Sequence, residues 1–194
     1  MAKFSRGGAL AVIVGLLSAC AGGPATAPRT PAAPPADVAA MYAAVQTAGK
    51  ADERELAVVP LRDPQIEDLR ETAATALARR DLGAAADALN QALLLVPDDP
   101  ALLQERAEVA LLASDLPRAE NLAQRAIDLG SAAGPLCRRH WETLHQIRGY
   151  RLRVSPSATA ATGEQTGKAN ALAKQVADAV AGRDACTVAG FDRM

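Results

Sequence analysis

The chain has 194 residues, with 21 basic against 22 acidic side chains and a formal net charge of -1 at neutral pH. That balance excludes bulk electrostatic attraction to nucleic acid. Hydrophobic residues make up 49% but aromatics only 3%. A core must therefore be built from Ala and Leu, small or unbranched residues that favour helices and close helix packing.

At the start, Lys3 and Arg6 precede an apolar run from Ala9 to Ala19. The run is too short to span a bilayer as a helix, which needs ~20 residues. It fits the apolar region of a secretory signal. It closes on Leu17-Ser18-Ala19-Cys20, which resembles a bacterial lipobox. The resemblance implies that 1-19 is a lipoprotein signal peptide and that Cys20 carries an acyl chain such as palmitate. Ala21 at the next position resembles lipoproteins sorted to the outer membrane, which implies a lipid-anchored protein facing the periplasm. The competing reading is an ordinary cleaved signal in which Cys20 is incidental. Residues 20-36 hold Pro24, Pro28, Pro31, Pro34 and Pro35. Proline blocks helix there and leaves an extended tether able to reach ~50 Å from the membrane.

The segment 37-64 reads as a short helix from Asp37 to Ala48, then a loop broken by Pro60 and Pro64. From Gln65 the chain is expected to be helical for most of ninety residues. Breaks fall near Asp81-Leu82-Gly83, Pro97 to Pro100, Ser114 to Pro117 and Gly130 to Pro135. Segments of this length between short turns predict antiparallel neighbours.

These helices repeat at a shift of 34. Leu69 falls on Leu103, Ala73 on Ala107, Leu77 on Leu111, Asp81 on Asp115, Ala85 on Ala119 and Ala92 on Ala126. A 34-residue helix-turn-helix period resembles the tetratricopeptide repeat. The resemblance implies an all-α solenoid of antiparallel helix pairs, with two repeats over 65-132. Pro97 stands at the closing proline of the first unit, while Ser131 replaces it in the second. Two units alone leave apolar ends bare, so 133-194 is expected to supply capping helices and a tail. Leu136, Trp141, Leu144 and Ile147 form one apolar stripe. A last helix runs from Gly163 to Gly182, with Leu172, Val176 and Val180 on one face.

With Cys20 acylated, Cys137 and Cys186 remain, and an oxidising compartment favours a bridge between them. Little else suggests chemistry. His140 and His145 are five apart and do not share a helix face, and a metal site from Cys137, His140 and Cys186 lacks a fourth ligand. His140 is expected to face solvent beside a disulfide cysteine. There is no G-x-S-x-G. Gly163 to Lys168 is one residue short of a phosphate loop, and Asp98-Asp99 reads as turn residues. The expectation is a non-enzyme with no cofactor and no metal. An accessory factor using the Cys137, His140 and Cys186 region, metal-dependent or enzymatic, is the alternative.

Charge is unevenly spread: the balance is -6 from Asp52 to Asp99 and +4 from Cys137 to Arg153. Tetratricopeptide arrays bind peptides or helices along their first helices. By register, that face carries Arg70, Gln104, Glu108, Arg138 and Glu142, and with Arg139 these are the partner-binding residues that the resemblance implies. Arg70 and Arg139 match the basic positions of the carboxylate-clamp subfamily, but Ala74, Glu105 and Pro135 break the pattern, so no such clamp is expected. The whole reads as a membrane-anchored interaction adaptor of the bacterial envelope. Its partner would be a peptide or helix of an envelope, secretion or assembly protein, with self-association open to it.

Overall fold

The computed structural model describes residues 33-50, 55, 61-155 and 163-187. The signal segment and Cys20 lie outside these, as do most of the loop before Pro64 and the segment 156-162. Among the described residues the protein is all-α, with seven helices and no strand. They are α1 (Val38–Ala48), α2 (Pro64–Ala78), α3 (Leu82–Leu95), α4 (Pro100–Leu112), α5 (Leu116–Leu129), α6 (Gly134–Val154) and α7 (Gly163–Ala185).

Local chemistry sets the helix starts. Asp37, Asp63, Asp81, Asp99 and Asp115 stand at five successive N-caps. Each carboxylate accepts a backbone N–H of the first turn, at 2.7 Å for Asp99 with Ala101 and 2.9 Å for Asp81 with Ala84. A cap of this kind is worth about 1 kcal/mol. Prolines at the first helical positions of α2 and α4 remove N–H groups that would have no partner.

The 34-residue shift has a geometric counterpart. α2 with α3, and α4 with α5, are hairpins joined by matching corners. Arg80 and Ser114, 34 apart, both take left-handed backbone at φ 61° and 62°. Asp81 N–H donates to Ala76 O and Asp115 N–H to Ala110 O, each at 2.9 Å. These bonds close the carbonyls that a helix end leaves open. The alanines Ala85, Ala92, Ala119 and Ala126 are fully buried where helices approach.

Stacking of the second hairpin on the first explains a difference in sequence between them. Leu102 and Val109 of α4 pack into one cluster with Ala85, Leu89 and Ala92 of α3, and Arg106 Nε donates to Asn90 Oδ1 at 2.8 Å. At the equivalent places in α2 stand Asp68, Thr72 and Thr75, all exposed. The first hairpin thus carries polar groups where a preceding hairpin would otherwise pack, which closes that end of the stack.

α6 and α7 form a third, longer hairpin. Cys137 and Cys186 are joined as a disulfide that ties the start of α6 to the end of α7. Gly134 N–H, at φ 90°, donates to Cys186 O at 2.8 Å. Closing a loop across 49 residues is worth ~4 kcal/mol on a chain-entropy account. Leu144 and Ala179 are buried with Ala107 and Ala123. Trp141 lies on the backbone of α7 at Gly182, where an added Cβ would collide with the ring. α4 is the centre of the fold: all but three of its residues are buried.

Candidate functional site

The part of the face assigned by register to a partner that lies on α4 and α6 is covered by α1. α1 lies across α4 and α6, burying Met41 and Val45 against Ala110, Leu111, Ala119 and Ile147. Tyr150 Oη donates to Pro34 O at 3.1 Å, so the residues just before α1 are laid on α6 as well. An isolated helix of this length is marginal in water, and docking of its apolar face holds it in place.

Beneath α1 runs a seam of polar side chains. Glu108, 4% exposed, is its hub. Its Oε1 accepts from Gln104 Nε2 at 2.8 Å and Arg139 Nε at 2.9 Å. Its Oε2 accepts from Gln46 Nε2 at 2.8 Å and Arg139 Nη2 at 2.6 Å. Four N–H donors, two of them from the one guanidinium, satisfy the buried carboxylate, which alone would be costly. Tyr42 sits nearby, and burial, then the Glu108 charge, push its hydroxyl pKa up. Gly49 closes the seam, since a Cβ there would collide with the Arg139 stem.

The seam continues into the interior. Gln104 Nε2 also donates to Thr143 Oγ1 at 2.9 Å, and Thr143 Oγ1 donates to Arg139 O at 2.9 Å. With its amide so engaged, Gln104 Oε1 accepts from His140 Nδ1 at 2.9 Å. His140 therefore carries its proton on Nδ1 and keeps a lone pair on Nε2. The expectation that this histidine faces solvent is corrected: it is 1% exposed. Burial, then the neighbouring Arg139 charge, lower its pKa to about 4. The reason is positional: three residues on from Cys137, it shares the face that packs against α4 and α5.

The remaining residues expected at a partner surface are also engaged within the chain. Arg70 pairs with Glu105 and with Glu67, and these contacts raise its pKa. Arg138 donates to Ala48 O and Lys50 O, each at 3.0 Å, and to both oxygens of Glu55. Glu142 accepts from Gln146 at 2.6 Å, Arg183 at 2.7 Å and His145 at 3.2 Å. Burial acts to raise its pKa, but these bonds outweigh it and leave the carboxyl below its usual value. The basic run after Cys137 is thus largely neutralised in place, with Arg148 and Arg151 clamping Glu120.

What the seam leaves open is a cleft of about 520 Å³ between α1 and the α6–α7 hairpin. It is lined by Ala43, Ala44, Thr47 and Ala48 with Arg138, Glu142 and Arg183. Its floor is small and apolar, and its edge carries both charge signs. Of the six expected partner residues, Arg138 and Glu142 border this cleft, while Gln104, Glu108 and Arg139 lie in the seam and Arg70 pairs across to α4. The role of α1 in the site was missed in the sequence. Its signal was there in Met41 and Val45, four apart on a helix too short to stand alone.

Among the described residues no group of three His, Cys, Asp or Glu side chains could hold a metal. Cys137 and Cys186 are spent on each other, so neither offers a thiolate to the site drawn with His140. No described helix is long and apolar enough to cross a membrane.

These features define a stacked-hairpin all-α protein with an internal polar seam and a shallow cleft. No protein-family model matches the chain, and no curated protein matches it. Among solved structures it is similar to the globular C-terminal domain of LpoP from P. aeruginosa. That match has 24% identity and a TM-score of 0.48, and covers 62% of this chain and 99% of the other.

Proposed function

We propose that this protein is a non-catalytic adaptor of the bacterial envelope, acylated on Cys20 and held to the outer membrane on the periplasmic side. In this reading 1-19 is removed as a signal peptide and 20-36 is the tether. The two hairpins over 65-132 are tetratricopeptide-like repeats, and 133-194 caps them. The observation that carries it is the doubled hairpin. Its left-handed corners and buried alanines recur at 34 residues, an architecture whose general use is to present helix faces to other polypeptides. The lipobox-like Leu17 to Cys20 supplies the location. A disulfide suits an oxidising compartment.

The partner surface in this reading is the cleft beside α1, with Arg138, Glu142 and Arg183 at its edge. A helix or extended segment with small apolar residues and mixed charge fits it. Two measurements test the proposal. Labelling cells with a palmitate analogue is expected to mark the native chain and leave Cys20→Ala unmarked. A photocrosslinker at Thr47 in intact cells is expected to trap one envelope protein, or a second copy of this chain, and one at Asp68 to trap neither. An unlabelled native chain removes the anchor from the reading. Equal and diffuse crosslinking from both positions removes the adaptor.

A further inference from the structure

The described residues stop at Thr187, and Val188-Ala189-Gly190-Phe191-Asp192-Arg193-Met194 follow in the sequence. The point from which they leave is fixed. Cys186, just before Thr187, is tied to Cys137. Its N–H donates to Arg183 O at 3.1 Å, and Thr187 N–H donates to Asp184 O at 3.2 Å, which tightens the turn that ends α7. Arg183, one turn back from Thr187, stands at the edge of the cleft beside α1. Four residues of helix rise only ~6 Å, whereas four of extended chain reach up to ~14 Å. Phe191 is therefore within range of the cleft once the chain turns back.

The chemistry of this segment matches that of the cleft. Outside the first nineteen residues the aromatics are Tyr42, Trp141, Tyr150 and Phe191. Tyr42 and Tyr150 pack on one core cluster and Trp141 on another. Phe191 is the one that the described core does not use, and taking such a side chain out of water is strongly favourable. The cleft, about 520 Å³, has a floor of Ala43, Ala44 and Ala48 beside Thr47, with no long side chain to keep a ring away. At its edge Arg183 is anchored to Glu142 through Nη1 at 2.7 Å. Its Nε and Nη2 hold Asp184, whose side chain is 63% exposed. An exposed pair of that kind contributes little, so another carboxylate can replace Asp184 there at small cost. Asp192 follows Phe191 directly.

We propose that residues 188–194 fold back into the cleft beside α1, with Phe191 on the alanine floor and Asp192 against Arg183. On the reading of that cleft as the partner surface, on which this consequence rests, the tail is a built-in competitor that a partner must displace. A segment joined to its site by a few residues acts at an effective concentration in the millimolar range, so even a weak contact is well populated. A tail that fills the cleft for roughly two-thirds of the time weakens a partner's apparent affinity about threefold.

A photocrosslinker at Thr47 of the full chain, purified in detergent, tests the seat. A crosslink at the mass of one chain is expected, with mass spectrometry locating its far end within residues 188–194. Phe191→Ala is expected to lower its yield roughly three- to fourfold, through loss of the ring's burial. The fluorescence of Trp141, the single tryptophan of the chain, is expected to stay unchanged in that variant and so report an intact fold. In intact cells, Phe191→Ala and removal of 188–194 are both expected to raise the yield of partner trapped at Thr47, about threefold. No crosslink at the mass of one chain, one that ends outside 188–194, one at the mass of two chains, or a yield indifferent to Phe191→Ala overturns the seat. Partner capture that stays level or falls when the tail is removed overturns the competition. A crosslink to the tail with no partner trapped in any of these chains supports the seat and counts against the adaptor reading alone.

Discussion

At the scale of residues, the molecule is governed by buried polar groups. Glu108 is stable inside because four hydrogen bonds and the Arg139 charge surround it. Such a pair adds little over an apolar pair of equal volume, but removing one partner strands the other. Arg139→Met is therefore expected to cost about 3 kcal/mol in urea unfolding, and Arg139→Met with Glu108→Leu to cost clearly less than that single change. If the double variant is the weaker, the seam does not work as a charge pair. His140 gives the pH dependence. Its folded pKa of about 4 lies below the ordinary 6.5, so the unfolded chain binds the extra proton across that window. Stability attributable to this residue is complete above pH 6.5 and falls as pH drops towards 4, by about 3 kcal/mol in all. Glu142, with its pKa lowered by hydrogen bonds, adds its loss only at the acid end, as pH falls from its ordinary value through its lowered one. Stability measured from pH 7 to pH 4.5 is expected to slope less in His140→Gln than in the native chain, and parallel slopes refute the assignment.

At the scale of elements, each hairpin carries its own instructions. Aspartate caps, prolines in first turns and alanines at contacts are short-range signals, and they make the helices from Gln65 onward legible in the sequence. So does the period of 34, which survives because the two corners solve the same problem: reversing the chain with one left-handed residue. That residue is Arg80 in one hairpin and Ser114 in the other, both exposed and neither a glycine. Left-handed backbone costs an L-residue ~1 kcal/mol or more. Ser114→Gly is accordingly expected to raise the urea midpoint, by up to ~1 kcal/mol in stability, with Arg80→Gly acting alike. A loss of stability in both would mean that the side chains do more at the corners than the backbone suggests.

At the scale of the whole molecule, the sequence is legible in its elements and much less so in its assembly. The third hairpin is foreshadowed by the stripe of Leu136, Trp141, Leu144 and Ile147. Which face of α6 lies inward is not, because His140, Glu142 and Thr143 are polar yet buried. Hydrophobic periodicity is blind to polar groups that bury themselves by pairing across 30 or more residues, as Glu108 does with Arg139. The unequal charge along the chain misleads for the same reason, since arginines of the basic run meet acids of earlier helices. α1 is the largest consequence, because it converts an expected open face into a covered seam with a cleft at its side. That cleft exists only while α1 is docked, and Met41 and Val45 are what dock it. Met41→Ala is expected to cost ~2–5 kcal/mol if the loss is felt by the whole fold. If α1 is a separately releasable element, the result differs: global unfolding barely moves, while amides of α1 exchange faster and α4 and α6 stay protected. Hydrogen exchange followed by mass spectrometry separates these outcomes. The direct packing of Val45 on the α4 core and the Gln46 bond to the Glu108 hub tie α1 into the cooperative unit, so protection is expected to fall across α1, α4 and α6 together.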